Sequence, residues 1–248
     1  MRYNLNSNRA KKDLTVMKTQ TTLYTLSADI PQKLKFIFAS DLHGCENEPV
    51  LDIIKETRPD GVLVGGDFVH DNTVYKSGLE FLARSSELCP TFVALGNHEH
   101  RYGGDIRTEV TKSGATLLDN DSVSFMGISI GGLSSCEFNS TEMPDVEWLK
   151  GFASLEGFKL LLCHRPEYYK KHIKDLPIDL TLSGHAHGGQ WRFFDQGLYA
   201  PGQGILPRYT SGMHDGRFII GRGLGNPHRI PRLNNDPEII IINIVPSK

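Results

Sequence analysis

Eight polar residues of this sequence stand at spacings from which acid–base or metal chemistry could be built. They are Asp41 and His43 in SDLHG, Asp67 in GGDF, Asn97 and His98 in GNHE, His164 in LCHRP, and His185 and His187 in SGHAHGGQ. Imidazole, carboxylate and amide oxygen without thiolate suit Mn, Fe, Zn or Ni and argue against a cysteine-rich structural zinc site. The last two histidines sit one residue apart among glycines, which let a backbone crowd around whatever the rings face. Taken singly, each cluster also reads as a capping turn, a strand terminator, a polar loop or a pair of solvated rings. Their joint placement carries the information.

Each cluster directly follows a short apolar run, in LKFIFAS, DGVLVGG, TFVALG, FKLLLC and IDLTLS. Runs of this length rich in Val, Ile, Leu and Phe predict buried strands. Between several of them lie predicted helices. Residues 48–57 (EPVLDIIKET) place Pro49 in the first turn and space Val50, Ile53 and Ile54 for one face. Residues 76–88 and 166–175 read the same way, the latter opening at Pro166 and Glu167. Strand and helix in alternation predict an α/β architecture, whose strands' carboxyl ends converge on one crevice. Residues far apart in sequence would meet there. From residue 188 to 225 glycine dominates, favouring short strands and turns. GRFIIGRGL and EIIIINIV read as strands, the last buried on both faces. Residues 1–22 are expected to be loose and 23–248 to form one domain.

The 248 residues, 39% hydrophobic and 23% charged, have an ordinary globular composition. A net charge of -2 speaks against nucleic-acid binding. Locally the charge is uneven: residues 188–234 hold Arg192, Arg208, Arg217, Arg222, Arg229 and Arg232 against Asp195 and Asp215. That segment could face an anion or a membrane surface. Four scattered cysteines form neither a zinc knuckle nor a disulfide framework, which predicts a reducing compartment. No apolar run approaches the roughly 18 residues of a membrane span, and the polar N-terminal stretch lacks a secretory core. A cytoplasmic protein is the expectation.

The order D-x-H, G-D, G-N-H-E, H, G-H-x-H over residues 34 to 187 resembles the calcineurin-like metallophosphoesterase superfamily. The downstream GHAHGGQW, APGQG and GRGLGN segments resemble its bacterial YaeI/YkuE-type phosphodiesterase branch, which includes enzymes acting on UDP-diacylglucosamine. The resemblance implies two mixed β-sheets packed face to face and flanked by helices, a four-layer αββα sandwich. It also implies two divalent ions, manganese foremost, with iron, zinc, nickel or magnesium as alternatives. Asp41, His43 and His187 would hold one, Asn97, His164 and His185 the other, and Asp67 would bridge them. Spacing agrees, because alternate residues of an extended chain face one way and would let Asp41 and His43 share an ion. The glycine-flanked turn would let His185 and His187 diverge to ions about 3.5–4 Å apart. One departure stands out: GDFVHD puts His70 where the family often carries a second aspartate.

Two such ions against two carboxylates leave a surplus of roughly +2, which suits a phosphate, and a water bridging them would be acidic enough to attack phosphorus in line. The resemblance makes His98 the general acid and Glu99 its orienting partner, with His100 a lesser candidate for the acid role. Arg165 could touch a phosphate oxygen or form a salt bridge at a helix start. Trp191 and Arg192, with Phe193, Phe194, Tyr199 and Tyr209, mark 188–234 as the expected substrate-facing segment. Its guest would be a nucleotide- or lipid-linked phosphodiester or pyrophosphate, with peripheral membrane contact, unless the segment is simply part of the second sheet. His172 reads as a solvated helix residue, His214 and His228 as loop residues, and Trp148 and Cys163 as core. Three functions stay open. The first is a phosphodiester or pyrophosphate hydrolase, the second a phosphomonoesterase or protein phosphatase on the same site. The third is a non-catalytic binding module, which normally goes with lost ligands.

Overall fold

The computed structural model describes residues 19–71, 73–136, 143–226 and 230–247. In chain order the first half forms β1 (Gln20–Ala28), β2 (Leu34–Ala39), α1 (Glu48–Thr57), β3 (Gly61–Val64), α2 (Lys76–Leu88), β4 (Thr91–Ala94), α3 (Ile106–Lys112), β5 (Thr116–Leu118) and β6 (Asp121–Phe125). The second half forms β7 (Ile128–Leu133), α4 (Val146–Ala153), β8 (Lys159–Cys163), β9 (Leu180–Ser183) and four two-residue strands. These are β10 (Arg192–Phe193), β11 (Gln196–Gly197), β12 (Tyr199–Ala200) and β13 (Gly204–Ile205). The chain then completes β14 (Gly212–His214), β15 (Phe218–Ile220) and β16 (Glu238–Pro246).

Period-two alternation sorts these strands into layers. In β2, Leu34, Phe36 and Phe38 enter one core while Ile37 and Ala39 enter another. β16 does the same, with Ile240, Ile242 and Ile244 on one face and Ile239 on the other. Two six-stranded mixed sheets result, in the orders β1-β16-β2-β3-β4-β5 and β14-β15-β9-β8-β7-β6. The core between them joins Phe36, Phe38 and Leu63 to Leu160, Leu162, Leu182 and Ile219. A second core packs the first sheet against α1, α2 and α3 through Leu51, Ile54, Phe81, Leu82 and Val110. A third packs the other sheet against α4 and Tyr169. The four-layer αββα sandwich is therefore present. Strand β16 lies inside the first sheet, parallel to β1 and antiparallel to β2.

Helices α1 and α2 have the expected bounds, with a proline in the first turn of α1. The segment expected as a helix over 166–175 differs: the Lys174 N–H reaches back to the Tyr169 carbonyl at 2.8 Å, a widened turn over Tyr169–Ile173. The Tyr169 ring, fully buried and stacked on Phe218 with centroids 4.0 Å apart, fixes that turn against the sheet. The N-terminal segment expected to be loose lies outside the described residues up to residue 18. Gln20 to Thr22 instead open β1 and pair with Glu238 to Ile240. Among the described residues no helix is long and apolar enough to cross a membrane.

Candidate metal centre

Strands β2, β3 and β4 of one sheet and β8 and β9 of the other end at the same edge of the sandwich, and all seven proposed ligands follow directly. Both sheets contribute to the one crevice on which the strand ends were expected to converge. Five of the seven have left-handed backbone: Asp41 (φ 54), His43 (φ 43), Asp67 (φ 53), His185 (φ 64) and His187 (φ 46). Each costs a non-glycine residue roughly 1–2 kcal/mol, and such strain persists where the surroundings over-determine it. Asp41 and His43 therefore converge through two tight turns, and not, as their spacing suggested, by alternating along extended chain. Glycine is required where the loops touch: a Cβ on Gly96 would collide with Asp67 Oδ1, and one on Gly184 with Asp41 Oδ2.

Among the described residues the proposed Asp and His ligands form two groups around one carboxylate, and a third grouping, His43, His70 and His98, shares His43. Asp41, His43 and His187 each offer a ligand atom within 4.8 Å of the others, and so do Asp67, His164 and His185. Asp67 Oδ2 stands between the groups, 3.2 Å from His164 Nε2 and 3.6 Å from His43 Nε2. Its Oδ1 accepts the His98 backbone N–H at 2.8 Å. Across the sheets, the His185 backbone N–H donates to both Asp41 oxygens at 3.0 and 3.1 Å, and His164 Nδ1 donates to the Gly65 carbonyl at 2.7 Å.

These residues fit divalent cations. His43 Nε2, His164 Nε2 and Asn97 Oδ1 are buried and make no hydrogen bond, although the two imidazole atoms lie near carboxylates. An orphaned buried polar atom costs about 1–3 kcal/mol, so His43 Nε2 and Asn97 Oδ1, both in loops at this edge, call for a partner. Burial pushes His43, His185 and His187 well below the usual histidine range, which leaves them neutral and able to ligate. His164 departs from that trend. Burial opposes its charge, but the Asp67 carboxylate outweighs burial and lifts it to about 9. Asp67 is likewise held well below the carboxylate range, against its own burial, chiefly by His164 and then His43. Asp41 is pushed up to about 6 by burial.

Around this centre some expectations need correction. The ring of His98 lies at its edge, Nε2 4.0 Å from Asp67 Oδ2 and Nδ1 2.5 Å from the His70 carbonyl. Glu99, expected to orient His98, instead accepts the backbone N–H groups of Asp67 (2.9 Å), Gly96 (2.6 Å) and Val69 (3.1 Å). It is a buried clasp between the loops after β3 and β4, raised to about 8 by burial and by Asp67. His100 turns its Nε2 onto the Ser135 carbonyl. Arg165 donates to Ser135 Oγ at 3.0 Å and to the Cys136 carbonyl at 2.8 Å.

Arg192, expected to face substrate, is buried, and its guanidinium donates to the carbonyls of Gly188 and Asp195 at 3.0 and 2.8 Å. It holds the turn after His187. Trp191 is exposed, its indole N–H on the Pro231 carbonyl at 2.9 Å. His172 is half-buried against Tyr168, and His214 packs on Tyr209. His228 and Arg229 lie outside the described residues.

Two residues of the C-terminal stretch had not been anticipated. The buried guanidinium of Arg232 lies 3.4 Å from His187 Nδ1, and Asn235 Nδ2 donates to the His187 carbonyl at 2.7 Å. A local excess of arginine was visible in the sequence, but not which arginines the fold turns inward.

The model of the calcineurin-like phosphoesterase family matches residues 34–189. The chain is 29% identical over 241 residues to phosphodiesterase YaeI of Escherichia coli, covering 85% of this chain and 82% of that protein. It is 28% identical over 249 residues to the metallophosphoesterase YkuE of Bacillus subtilis, covering 91% and 85%. Among solved structures, the phosphopantetheinyl hydrolase of Mycobacterium tuberculosis superposes with a TM-score of 0.47 at 13% identity, over 80% of this chain and 92% of that one.

Proposed function

Because this chain belongs to the calcineurin-like phosphoesterase family and is a phosphoric ester hydrolase, we propose that it cleaves phosphodiester or pyrophosphate bonds at a dinuclear metal centre. The placement of Asp67 Oδ2 between His43 and His164 carries the reading, since one carboxylate oxygen there can serve both ligand groups. Asp41, His43 and His187 would hold one ion and Asn97, His164 and His185 the other, with Asp67 shared. Two divalent ions, manganese foremost, supply Lewis acidity toward a phosphate oxygen and lower the pKa of the attacking water.

The chain's own residues do the rest. His98 donates its Nδ1–H to the His70 carbonyl, which turns Nε2 toward the centre, where it can pass a proton to the leaving oxygen. The His98 backbone N–H on Asp67 Oδ1 fixes that acid relative to the shared ligand. Glu99 keeps the two loops in register. Substrate specificity would come from the cover over residues 188–234. There a cavity of about 100 Å³ adjoins His187, lined by Ala186, Gln190, Tyr199, Pro201 and Ile230. Phe193, Phe194, Ile205 and Leu206 stand exposed on the same cover. That surface supports a lipid-linked substrate and peripheral contact with the cytoplasmic face of a membrane.

Turnover of bis-aryl and mono-aryl phosphates should be compared after chelation and readdition of Mn, Fe, Zn, Ni or Mg. Metal-restored hydrolysis that favours the diester is expected. Activity indifferent to chelation would remove the dinuclear reading, and preference for the monoester would reassign the substrate class.

A further inference from the structure

The first ligand group carries a feature that the reaction above leaves unused: a second imidazole, His70, at the back of His43. The two ring nitrogens of His43 face different surroundings. Nε2 is buried without a hydrogen bond and looks toward Asp67 Oδ2 and Asp41 Oδ1, at 3.6 and 4.0 Å. Nδ1 lies 3.4 Å from His70 Nδ1. A neutral imidazole that ligates through Nε2 carries its proton on Nδ1, and that N–H needs an acceptor to fix the ring.

His70 is placed to be that acceptor. Its backbone N–H donates to the Val74 carbonyl at 2.8 Å. Asp71 Oδ1 closes the same loop by accepting from Thr73 N (2.7 Å), Thr73 Oγ1 (2.6 Å) and Val74 N (3.0 Å). The other His70 ring nitrogen, Nε2, lies 3.9 Å from Asp71 Oδ2, so a proton there faces a carboxylate and Nδ1 is left bare toward His43. The second ligand group solves the same problem with main chain, since His164 Nδ1 donates to the Gly65 carbonyl.

We propose that His70 is a positioning residue for the first metal group, its Nδ1 accepting from His43 Nδ1 so that His43 presents a bare Nε2 beside Asp41 and Asp67. The proposal rests on the two-ion reading. Side-chain truncation at 70 should therefore weaken one ion and spare the other, because the acceptor for His164 is a backbone carbonyl. Loss of an outer hydrogen-bond partner of a ligating histidine commonly costs about 10–100-fold in metal affinity.

The test is calorimetric titration of Mn²⁺ into the chelator-treated full chain for wild type, His70→Ala and His70→Asn, with ¹H–¹⁵N NMR of the His43 ring before metal is added. An asparagine Oδ1 occupies nearly the place of the histidine Nδ1 and can accept the same proton. Wild type should bind two ions. His70→Ala should bind one of them about 10–100-fold more weakly and lose the single Nδ1–H form of His43. His70→Asn should restore both. Two binding steps of wild-type affinity in His70→Ala would overturn the role of His70 while leaving the two-ion centre standing. A loss in His70→Asn equal to that in His70→Ala would also overturn it, since the imidazole itself would then be the ligand. Fewer than two ions in wild type would remove the underlying reading and this proposal with it.

Discussion

The loops at the strand ends and the glycine-rich cover after His187 depart from ordinary burial in opposite senses. At the strand ends, polar atoms of His43, Asn97 and His164 are buried and unpartnered on a backbone that repeatedly enters the left-handed region. In the cover, Arg192, Arg217, Arg222 and Arg232 are engaged with oxygens of their own chain, while Phe193, Phe194, Ile205 and Leu206 face solvent. An orphaned buried polar atom costs about 1–3 kcal/mol, and a large apolar side chain left in water forgoes about 1.5–3 kcal/mol. On the proposed function both costs are kept where partners bind. The first departure points to cations and the second to an apolar contact.

Substitutions can break this contrast, and the largest effect should come from Asp67→Asn. Without the shared carboxylate both ligand groups lose charge, so metal content should fall at both positions and kcat should drop beyond the value for His98→Ala. For His98→Ala a loss of roughly 10²–10⁴-fold in kcat is expected with metal content unchanged. A smaller loss should appear on aryl esters with acidic leaving groups, and equal losses on all leaving groups would remove His98 from the acid role.

Glu99→Ala should act on stability first. Three buried backbone N–H groups lose their acceptor, which at about 1–3 kcal/mol each and ~2–4 °C per kcal/mol lowers Tm by roughly 6–36 °C. A Tm within a degree of wild type would contradict the clasp.

In the cover, Arg192→Ala should lower Tm by a few degrees through the unpaired Gly188 and Asp195 carbonyls, with KM for a small aryl diester unchanged. A raised KM would return Arg192 to the substrate. The smallest effect in solution belongs to Phe194→Ser, which should alter neither Tm nor aryl-diester turnover yet reduce flotation with anionic vesicles at low salt. Equal flotation of wild type and variant would sever the apolar surface from the membrane.

Much of this was legible in the sequence for a physical reason. Short apolar runs ending in ligand-type residues announce buried strands and the edge where they stop, so the amino-acid order alone gathers Asp41, Asp67, Asn97, His164 and His185 at one edge. What was hidden depends on where the chain's own polar groups need partners. Glu99 sits next to His98 in sequence, yet it turns to the amides of Asp67, Gly96 and Val69 because those loops bury donors that nothing else satisfies. Arg192 looked like an anion binder because composition cannot tell an arginine facing solvent from one satisfying carbonyls of its own turn. The left-handed backbone at Asp41 and His43 has no composition signal, since neither is glycine. His70 stood out only as a departure from pattern, and its value emerged from the 3.4 Å approach to His43.

In the proposed centre two ions lie at the edge where strands of both sheets end, and they share Asp67. An anomalous-difference map from crystals of the full chain grown with Mn²⁺ tests it most directly. Two peaks about 3.5–4 Å apart are predicted, one beside Asp41, His43 and His187, the other beside Asn97, His164 and His185, with Asp67 between them. A single peak, or a pair that leaves Asp67 uncoordinated, would contradict it.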